Sequence, residues 1–174
     1  MEGFLNPDKI LDELDLKENM TVAEFGCGTG NFTLALAKKI KQGRIYSLDI
    51  QEEKLSALKN KALLENFNNV IAIHCDLEAE NGSTLHKNSV NTVLIPNLLF
   101  QTEDKNAIIK ESKRVLKQGG QLLIVDWLKS SFLSPKQGIV YPEEIKKIAR
   151  EIEFDFKKEF SAGEHHFGLL FNKQ

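Results

Sequence analysis

A glycine-rich turn between an apolar run and a helical pattern has the residue types of a ligand-binding loop. Residues 26–30 read Gly-Cys-Gly-Thr-Gly after the apolar run 21–25, and Asp49 closes the next apolar run. Glycine has no Cβ and tolerates positive φ, so the backbone can turn tightly and lie against a ligand. A carboxylate about 20 residues after such a turn is where nucleotide-binding βαβ units hold ribose hydroxyls. The order of strand, turn, helix and acid therefore predicts a site for an adenosine-containing cofactor.

The spacing of the glycines indicates which cofactor this is. Dinucleotide sites use G-x-G-x-x-G, with the pyrophosphate at the N-terminus of a helix. Here the spacing is G-x-G-x-G, and Glu24 lies just before it. A carboxylate at this place would repel a pyrophosphate, but it suits the ammonium and sulfonium groups of S-adenosylmethionine. The alternative is a glycine-rich turn in a flavodoxin-like fold that binds no ligand.

The elements that must position these residues follow from the hydrophobic periodicity. Short apolar runs predict strands at 21–25, 44–48, 70–74, 92–95 and 121–125, and helical spacing predicts helices at 7–18, 31–41, 52–65, 103–116 and 142–152. Two final runs, at 155–160 and 166–171, flank Ser-Ala-Gly and predict a hairpin. We therefore expect an α/β fold, a doubly wound and mostly parallel seven-stranded sheet with one antiparallel strand in its edge region.

Composition and charge restrict the class of protein. The 174 residues are the length of a single domain, which we expect to span 1–174. The net charge of −2 offers no general basic surface, so no nucleic-acid partner is expected. No apolar run approaches the roughly 18–20 residues of a membrane span, and the N-terminus lacks the pattern of a signal peptide. The simplest expectation is a cytoplasmic protein without a membrane partner.

Cysteines and histidines give no sign of covalent or metal chemistry. Cys27 and Cys75 are too few for a disulfide framework, and we expect one further strand between the strands that they follow. Both are expected to be small packing residues rather than nucleophiles. His165 and His166 are adjacent and would point to opposite faces of a strand. We therefore expect no metal site.

Five segments, in order, resemble the motifs of class I S-adenosylmethionine-dependent methyltransferases, and the resemblance extends over residues 6–172. The segments are 24–30, 47–49, 74–77, 97–100 and 109–120. The subgroup that the chain is most similar to is the small-molecule methyltransferases of ubiquinone and menaquinone biosynthesis. The resemblance implies S-adenosylmethionine as cofactor, S-adenosylhomocysteine as product and a small organic molecule as methyl acceptor.

The resemblance also implies roles for individual residues. Asp49 would bind both ribose hydroxyls, Asp76 would lie against the adenine amino group, and Asn97 would lie beside the transferable methyl. The full set of expected cofactor-binding residues is Glu24, Gly26, Cys27, Gly28, Gly30, Asp49, Ile50, Asp76, Leu77 and Asn97. Residues 97–100 read Asn-Leu-Leu-Phe rather than Asn or Asp followed by Pro-Pro and an aromatic residue. This departure argues against methylation of DNA adenine or protein glutamine.

The expected reaction is an in-line displacement at the sulfonium methyl, which requires alignment more than a strong acid or a metal. No catalytic residue is therefore assigned. Candidate walls of the acceptor pocket are Phe100, Trp127, Tyr141 and His165, which could alternatively shield the end of the sheet. We expect residues 1–14 or 128–141 to form a lid, or a second subunit of a homo-oligomer to supply a cap.

Two other functions remain open from the sequence. A methyltransferase fold could act as a non-catalytic, cofactor-binding or partner subunit, because no general base is evident. An oxidoreductase that uses a nicotinamide cofactor fits less well, because the glycine spacing differs from that of dinucleotide sites.

Overall fold

The computed structural model describes residues 5–129 and 131–174, in which seven strands alternate with five helices. The strands are β1 (Thr21–Phe25), β2 (Arg44–Asp49), β3 (Val70–His74), β4 (Val90–Pro96), β5 (Leu116–Trp127), β6 (Phe154–Ser161) and β7 (His166–Lys173). The helices are α1 (Pro7–Leu11), α2 (Asn31–Lys39), α3 (Glu52–Leu64), α4 (Lys105–Val115) and α5 (Pro142–Glu151), with a 3-10 turn at Leu99–Gln101. Over the described ranges, none of the helices has the length and hydropathy needed to cross a bilayer.

The strands form one sheet in the order β3-β2-β1-β4-β5-β7-β6. Strands β1 to β5 are parallel, and β7 lies antiparallel between β5 and β6. This confirms the predicted fold class, including the antiparallel strand near one edge. The chain begins at the centre, runs outward to β3 and then crosses to β4 on the other side of β1. The gap between β1 and β4 is a topological switch point, the place where open α/β sheets bind ligands.

Helices cover both faces of the sheet. On one face, Leu94 and Val125 pack with residues of α1 and α2. On the other face, Ile95 and Ile124 pack with residues of α4 and α5. Because successive side chains of a strand point to opposite faces, this alternation gives the face of every neighbouring strand residue. Cys27 and Cys75 follow β1 and β3, so β2 separates them in the sheet, as expected.

Two element boundaries differ from the prediction by more than two residues. Helix α1 ends at Leu11 rather than at 18, although Leu14 is still buried against the same core cluster. Strand β5 begins at Leu116, because Leu116 pairs with Val90 before pairing resumes between Thr92 and Gln121. The intervening residues 117–120 form a bulge in which Gly119 takes φ +73°, so the glycine pair lies within an interruption of the strand pairing.

Hydrogen bonds with side chains of helix α4 hold the segment that follows β3 in place. The Glu111 carboxylate is 5% exposed and accepts hydrogen bonds from the Ser83 N–H at 3.0 Å, from the Ser83 hydroxyl and from Arg114 Nε at 2.7 Å. Arg114 also donates to the Leu85 carbonyl at 2.8 Å. Burial raises the pKa of Glu111, but the hydrogen bonds from Arg114 and Ser83 outweigh it, so the pKa is lowered. Glu111 thereby anchors the loop that leads out of β3.

We expect Glu111→Ala to lower the free energy of unfolding by about 2–3 kcal/mol, because it leaves the Arg114 guanidinium and the Ser83 N–H without their acceptor. Urea unfolding at pH 7 measures the change. The pKa is lowered in the folded state, so the contribution of Glu111 is present above the unfolded pKa and is lost as the pH falls. The control is Lys110→Ala on the exposed side of α4, which should change stability by less than about 0.5 kcal/mol. A Glu111→Ala midpoint equal to that control would contradict the anchoring role.

Candidate functional site

A cavity of about 470 Å³ opens at the carboxyl ends of β1, β2, β3 and β4. Its volume lies within the range of pockets that hold small ligands and cofactors. Its wall includes the glycine turn, the start of α3 and the ends of three strands at Asp49, Asp76 and Pro96. Leu5 and Pro7, from the segment before β1, also line it. The cavity therefore lies at the switch point of the sheet.

The glycine turn is held against the end of β2. The N–H groups of Gly26 and Cys27 both donate to the Leu48 carbonyl, at 2.8 and 3.0 Å. Gly28 takes φ +52°, and a Cβ on it would meet no described atom within 4 Å, although Gly28 lines the cavity. A Cβ on Gly30 would come within 2.3 Å of Leu58, so Gly30 allows close packing of α3. Gly28 thus leaves space for a ligand, whereas Gly30 lies behind the turn, outside the described lining.

Asp49 forms hydrogen bonds with both the glycine turn and the residue that precedes α3. Its carboxylate is 7% exposed; one oxygen accepts the Gly28 N–H at 2.8 Å and the other accepts the Gln51 N–H at 2.9 Å. A carboxylate can accept about four hydrogen bonds, so each oxygen retains capacity for a further donor. Asp49 therefore positions the turn and still has acceptor capacity towards the cavity.

Glu24 lies at the base of the cavity with 1% of its surface exposed. The Thr33 hydroxyl donates to Oε2 of Glu24 and lies 2.9 Å from the Ser47 hydroxyl. Burial raises the pKa of Glu24 to about 8; the hydrogen bond from Thr33 opposes the rise and the charge of Asp49 adds to it. Glu24 is therefore largely protonated at pH 7 in the ligand-free chain. Because the pKa of Glu24 is higher in the folded chain than in the unfolded chain, its contribution to the free energy of unfolding is fully present below pH 4.5. That contribution is lost as the pH rises through about 8.

The ends of β3 and β4 complete the wall. Asp76 accepts the Glu78 N–H at 2.9 Å, and Cys75 and Leu77 line the cavity on either side of it. Asn97 takes φ +50°, and its N–H donates to the Val125 carbonyl at 2.8 Å. Its Oδ1 is buried without a hydrogen-bond partner in the described part of the chain. A buried polar atom of this kind is a group that a ligand donor can satisfy.

The structure thus brings nine of the ten expected cofactor-binding residues to one cavity. They are Glu24, Gly26, Cys27, Gly28, Asp49, Ile50, Asp76, Leu77 and Asn97. Burial raises the pKa of both cysteines, which keeps Cys27 and Cys75 as thiols at neutral pH. Among residues 5–129 and 131–174, no three His, Cys, Asp or Glu side chains cluster as metal ligands.

Sequence reasoning missed several residues of the site. Gln51, Lys54, Leu98, Gln101 and Thr102 line the cavity. Leu98 lies within the motif segment 97–100, but no motif marks the start of α3 or the residues that follow Phe100. Thr33 of α2 donates to Glu24 and contacts Ser47 of β2, and a hydroxyl residue within an element carries no signal by itself. Of the expected lid, residues 5 and 7 reach the cavity, while residues 1–4 and 130 lie outside the described residues.

The four expected pocket walls do not belong to the described lining of this cavity. They are Phe100, Trp127, Tyr141 and His165. The Phe100 N–H donates to the carboxylate of Asp126 at 3.3 Å, and burial raises the pKa of Asp126 to about 6. Tyr141 precedes α5 and lies beneath the ammonium of Lys129. These residues lie near the end of β5 and its following loop, one strand further along the sheet than β4.

Trp127 and His165 lie in different surroundings. Trp127 stacks on His166, with ring centroids 4.1 Å apart and planes inclined by 39°. His165 Nδ1 lies 3.0 Å from the Ser131 hydroxyl, and its ring meets the edge of Phe132 at 5.4 Å. The adjacent histidines thus have separate contacts, consistent with opposite directions for their side chains.

Comparisons with known proteins agree with this geometry. A family model described as a methyltransferase domain matches residues 16–160. Demethylmenaquinone methyltransferase from Bacillus cereus is 28% identical over 153 residues, which cover 85% of this chain and 62% of that protein. The chain therefore spans less than two thirds of the length of this curated relative.

Two solved structures share the fold over nearly the whole chain. An S-adenosylmethionine-dependent methyltransferase from Aquifex aeolicus superposes with a TM-score of 0.88 at 24% identity, covering 98% of this chain and 90% of that one. Geranyl diphosphate methyltransferase in complex with S-adenosylmethionine has a TM-score of 0.81 at 11% identity, covering 97% of this chain and 84% of the other. The family and the fold expected from the sequence motifs are thus confirmed. The chain has the fold of S-adenosylmethionine-dependent methyltransferases and belongs to the methyltransferase-domain family.

Proposed function

We propose that this chain is an enzyme that transfers the methyl group of S-adenosylmethionine to a small organic acceptor. The observation that carries the proposal is the convergence of Glu24, Asp49 and Asp76 with the glycine turn on one cavity. When bound, the cofactor supplies an electrophilic methyl group together with its leaving group. The chain's own task is to bind, align and exclude water, and alignment can contribute roughly 7–11 kcal/mol to the barrier reduction.

Each acidic residue matches one part of the cofactor. The remaining acceptor positions of Asp49 suit two ribose hydroxyls, since its other contacts leave one position on each oxygen. Glu24 suits the ammonium group, because a cation beside a buried carboxyl favours its charged form. Asp76 suits the adenine amino group. Ile50, which lines the cavity and is 60% exposed, offers an apolar surface to the adenine ring.

The acceptor is proposed to be an electron-rich aromatic molecule of the quinol class. The Bacillus cereus relative is named for methylation of demethylmenaquinone. A sulfonium methyl is electrophilic, so the attacking atom needs an available electron pair. A reduced aromatic diol is electron-rich and nucleophilic at its oxygens and ring carbons, whereas its oxidised quinone is electrophilic. The apolar part of the wall, at Leu5, Pro96 and Leu98, suits the approach of an apolar aromatic molecule to the cofactor.

Calorimetric titration with S-adenosylmethionine and S-adenosylhomocysteine, with NADH as control, tests the cofactor. We expect micromolar binding of both sulfur ligands and none of NADH. Methyl transfer is then measured with isotopically labelled cofactor and 1,4-naphthohydroquinone under anaerobic conditions, with thiols, amines and simple phenols as competing acceptors. Absence of binding would contradict the proposal. Binding without transfer to any acceptor would favour a non-catalytic cofactor-binding module.

Asp49→Ala should weaken binding of S-adenosylhomocysteine about 100-fold, because two charge-assisted hydrogen bonds to the ribose are lost. The same change removes the acceptor of the Gly28 and Gln51 N–H groups, so unfolding is followed in parallel to confirm that the variant is folded. Glu53→Ala is the matched control, since it removes one exposed acid from the first turn of α3. Equal affinity of the Asp49→Ala variant and the control would show that the ribose assignment is wrong.

Binding of S-adenosylhomocysteine at pH 7 should release close to one proton from Glu24. The pKa of this carboxyl is about 8 in the empty chain, and an ammonium beside it lowers that value. Affinity should therefore increase as the pH rises from 6 towards 8. Calorimetry in phosphate and in Tris measures the proton release through the difference in buffer ionisation enthalpy. Glu24→Gln should abolish that difference; if it persists in this variant, the proton comes from another group.

A further inference from the structure

A buried histidine lies against the chain's one tryptophan at the carboxyl end of β5. His166 is 1% exposed, and neither ring nitrogen has a hydrogen-bond partner among residues 5–129 and 131–174. Its ring stacks on Trp127. The contacts proposed above for the cofactor use neither residue. Buried polar groups without partners are uncommon in folded proteins, and each one calls for an explanation.

This pair lies on the same face of the sheet as one wall of the cavity. Leu94 of β4 and Val125 of β5 pack with α1 and α2. Pro96 and Trp127 each follow by two residues, so they lie on the same face, because side chains two positions apart in a strand share a face. His166 pairs with Trp127 in the register of β5 and β7. Pro96 lines the cavity, and β7 is two strands from β4, about 10 Å at ordinary strand spacing. The pair therefore adjoins the side of the cavity that Pro96 forms.

The imidazole of His166 is neutral at physiological pH. Burial, with a smaller contribution from His165, lowers the pKa of His166 to about 4. A neutral imidazole has one N–H donor and one nitrogen that accepts a hydrogen bond. The neighbouring His165 already has a hydrogen bond with Ser131, whereas neither nitrogen of His166 has a partner within the described ranges.

We propose that Trp127 and His166 form the acceptor subsite, in which the aromatic ring of the acceptor lies against Trp127 and its hydroxyl donates a hydrogen bond to a ring nitrogen of His166. This inference rests on the proposed function, because the acceptor must take its methyl group from a cofactor in the adjoining cavity. The chemical class of the ligand is a hydroxylated aromatic molecule. Trp127 is partly exposed and His166 is 1% exposed, so the acceptor meets the indole before the imidazole.

The pairing of an indole with a neutral imidazole explains the selectivity expected of such a subsite. Aromatic rings favour offset or inclined stacking on an indole, which selects a flat acceptor. The unpaired nitrogen selects for a hydroxyl donor, because an acceptor without one leaves the nitrogen unsatisfied. A methylated ether of the same ring would keep the stacking and lose the hydrogen bond.

Fluorescence of Trp127 reports this subsite directly, since the chain contains no other tryptophan. The probes are 1,4-naphthohydroquinone and 1,4-dimethoxynaphthalene, titrated anaerobically into the full chain saturated with S-adenosylhomocysteine. We expect quenching by both probes, with the diol bound about five- to tenfold more tightly, as one added hydrogen bond allows. His166→Phe keeps the stacking on Trp127 and should remove the preference for the diol. His86→Phe, in an exposed loop, is the matched control and should keep it.

Three results would overturn the subsite: no quenching of Trp127 by the diol, no preference for the diol in the unmodified chain, or a preference that survives in His166→Phe. His166→Leu provides the same test if the phenylalanine variant does not fold. Calorimetry with S-adenosylhomocysteine is run on each variant. The affinity for S-adenosylhomocysteine should be unchanged by the substitutions at His166. A failure of the cofactor proposal, which would abolish this binding, is therefore distinguishable from a failure of the subsite.

Discussion

The carboxylate of Asp49 joins the glycine turn that follows β1 to the end of β2. It accepts the N–H of Gly28 from the glycine turn and the N–H of Gln51 at the entrance to α3. The same strand end supplies the Leu48 carbonyl, which accepts two further N–H groups of the turn. The path of the turn is therefore determined by the end of β2 rather than by the glycines alone. The groups that shape the cavity are also groups that a ribose would contact, so folding and binding share them.

Concentrating acids around one cavity has an electrostatic cost in the ligand-free chain. Glu24 is buried and lies near Asp49, and both effects disfavour its ionised form. A proton on Glu24, with the hydroxyl of Thr33 beside it, limits this cost. A cationic ligand would replace that proton as the compensating charge. The site is therefore suited to a positively charged cofactor and poorly suited to a pyrophosphate.

The two sides of the switch point differ in how many of their buried polar groups have hydrogen-bond partners. On the side of β2 and β3, the carboxylates of Asp49 and Asp76 already accept backbone N–H groups, and Asp49 retains further acceptor capacity. On the side of β4, β5 and β7, Asn97 Oδ1 and both nitrogens of His166 are buried without described partners. This contrast is consistent with a pre-formed cofactor site beside an acceptor subsite whose polar groups are satisfied only by a ligand.

Local pattern was enough to predict most elements and nine residues that line the cavity, because strand and helix periodicity, the glycine spacing and acids at strand ends are all properties of short segments. Parallel strands place their carboxyl ends at one edge, so Asp49 and Asp76 had to approach each other once the elements were known. The bulge at 117–120 and the early end of α1 depend on pairing and packing with distant residues, which no local pattern records.

The amino-acid sequence by itself determined the family, the order of strands and helices and nine of the cavity's residues. Tertiary structure alone decided which of the two adjacent histidines lies against Trp127. The sequence favoured His165, but the register of β5 with β7 places its neighbour His166 against Trp127, on the face that contains Pro96. The physical reason is the two-residue period of a strand, since one position along the chain moves a side chain to the opposite face of the sheet.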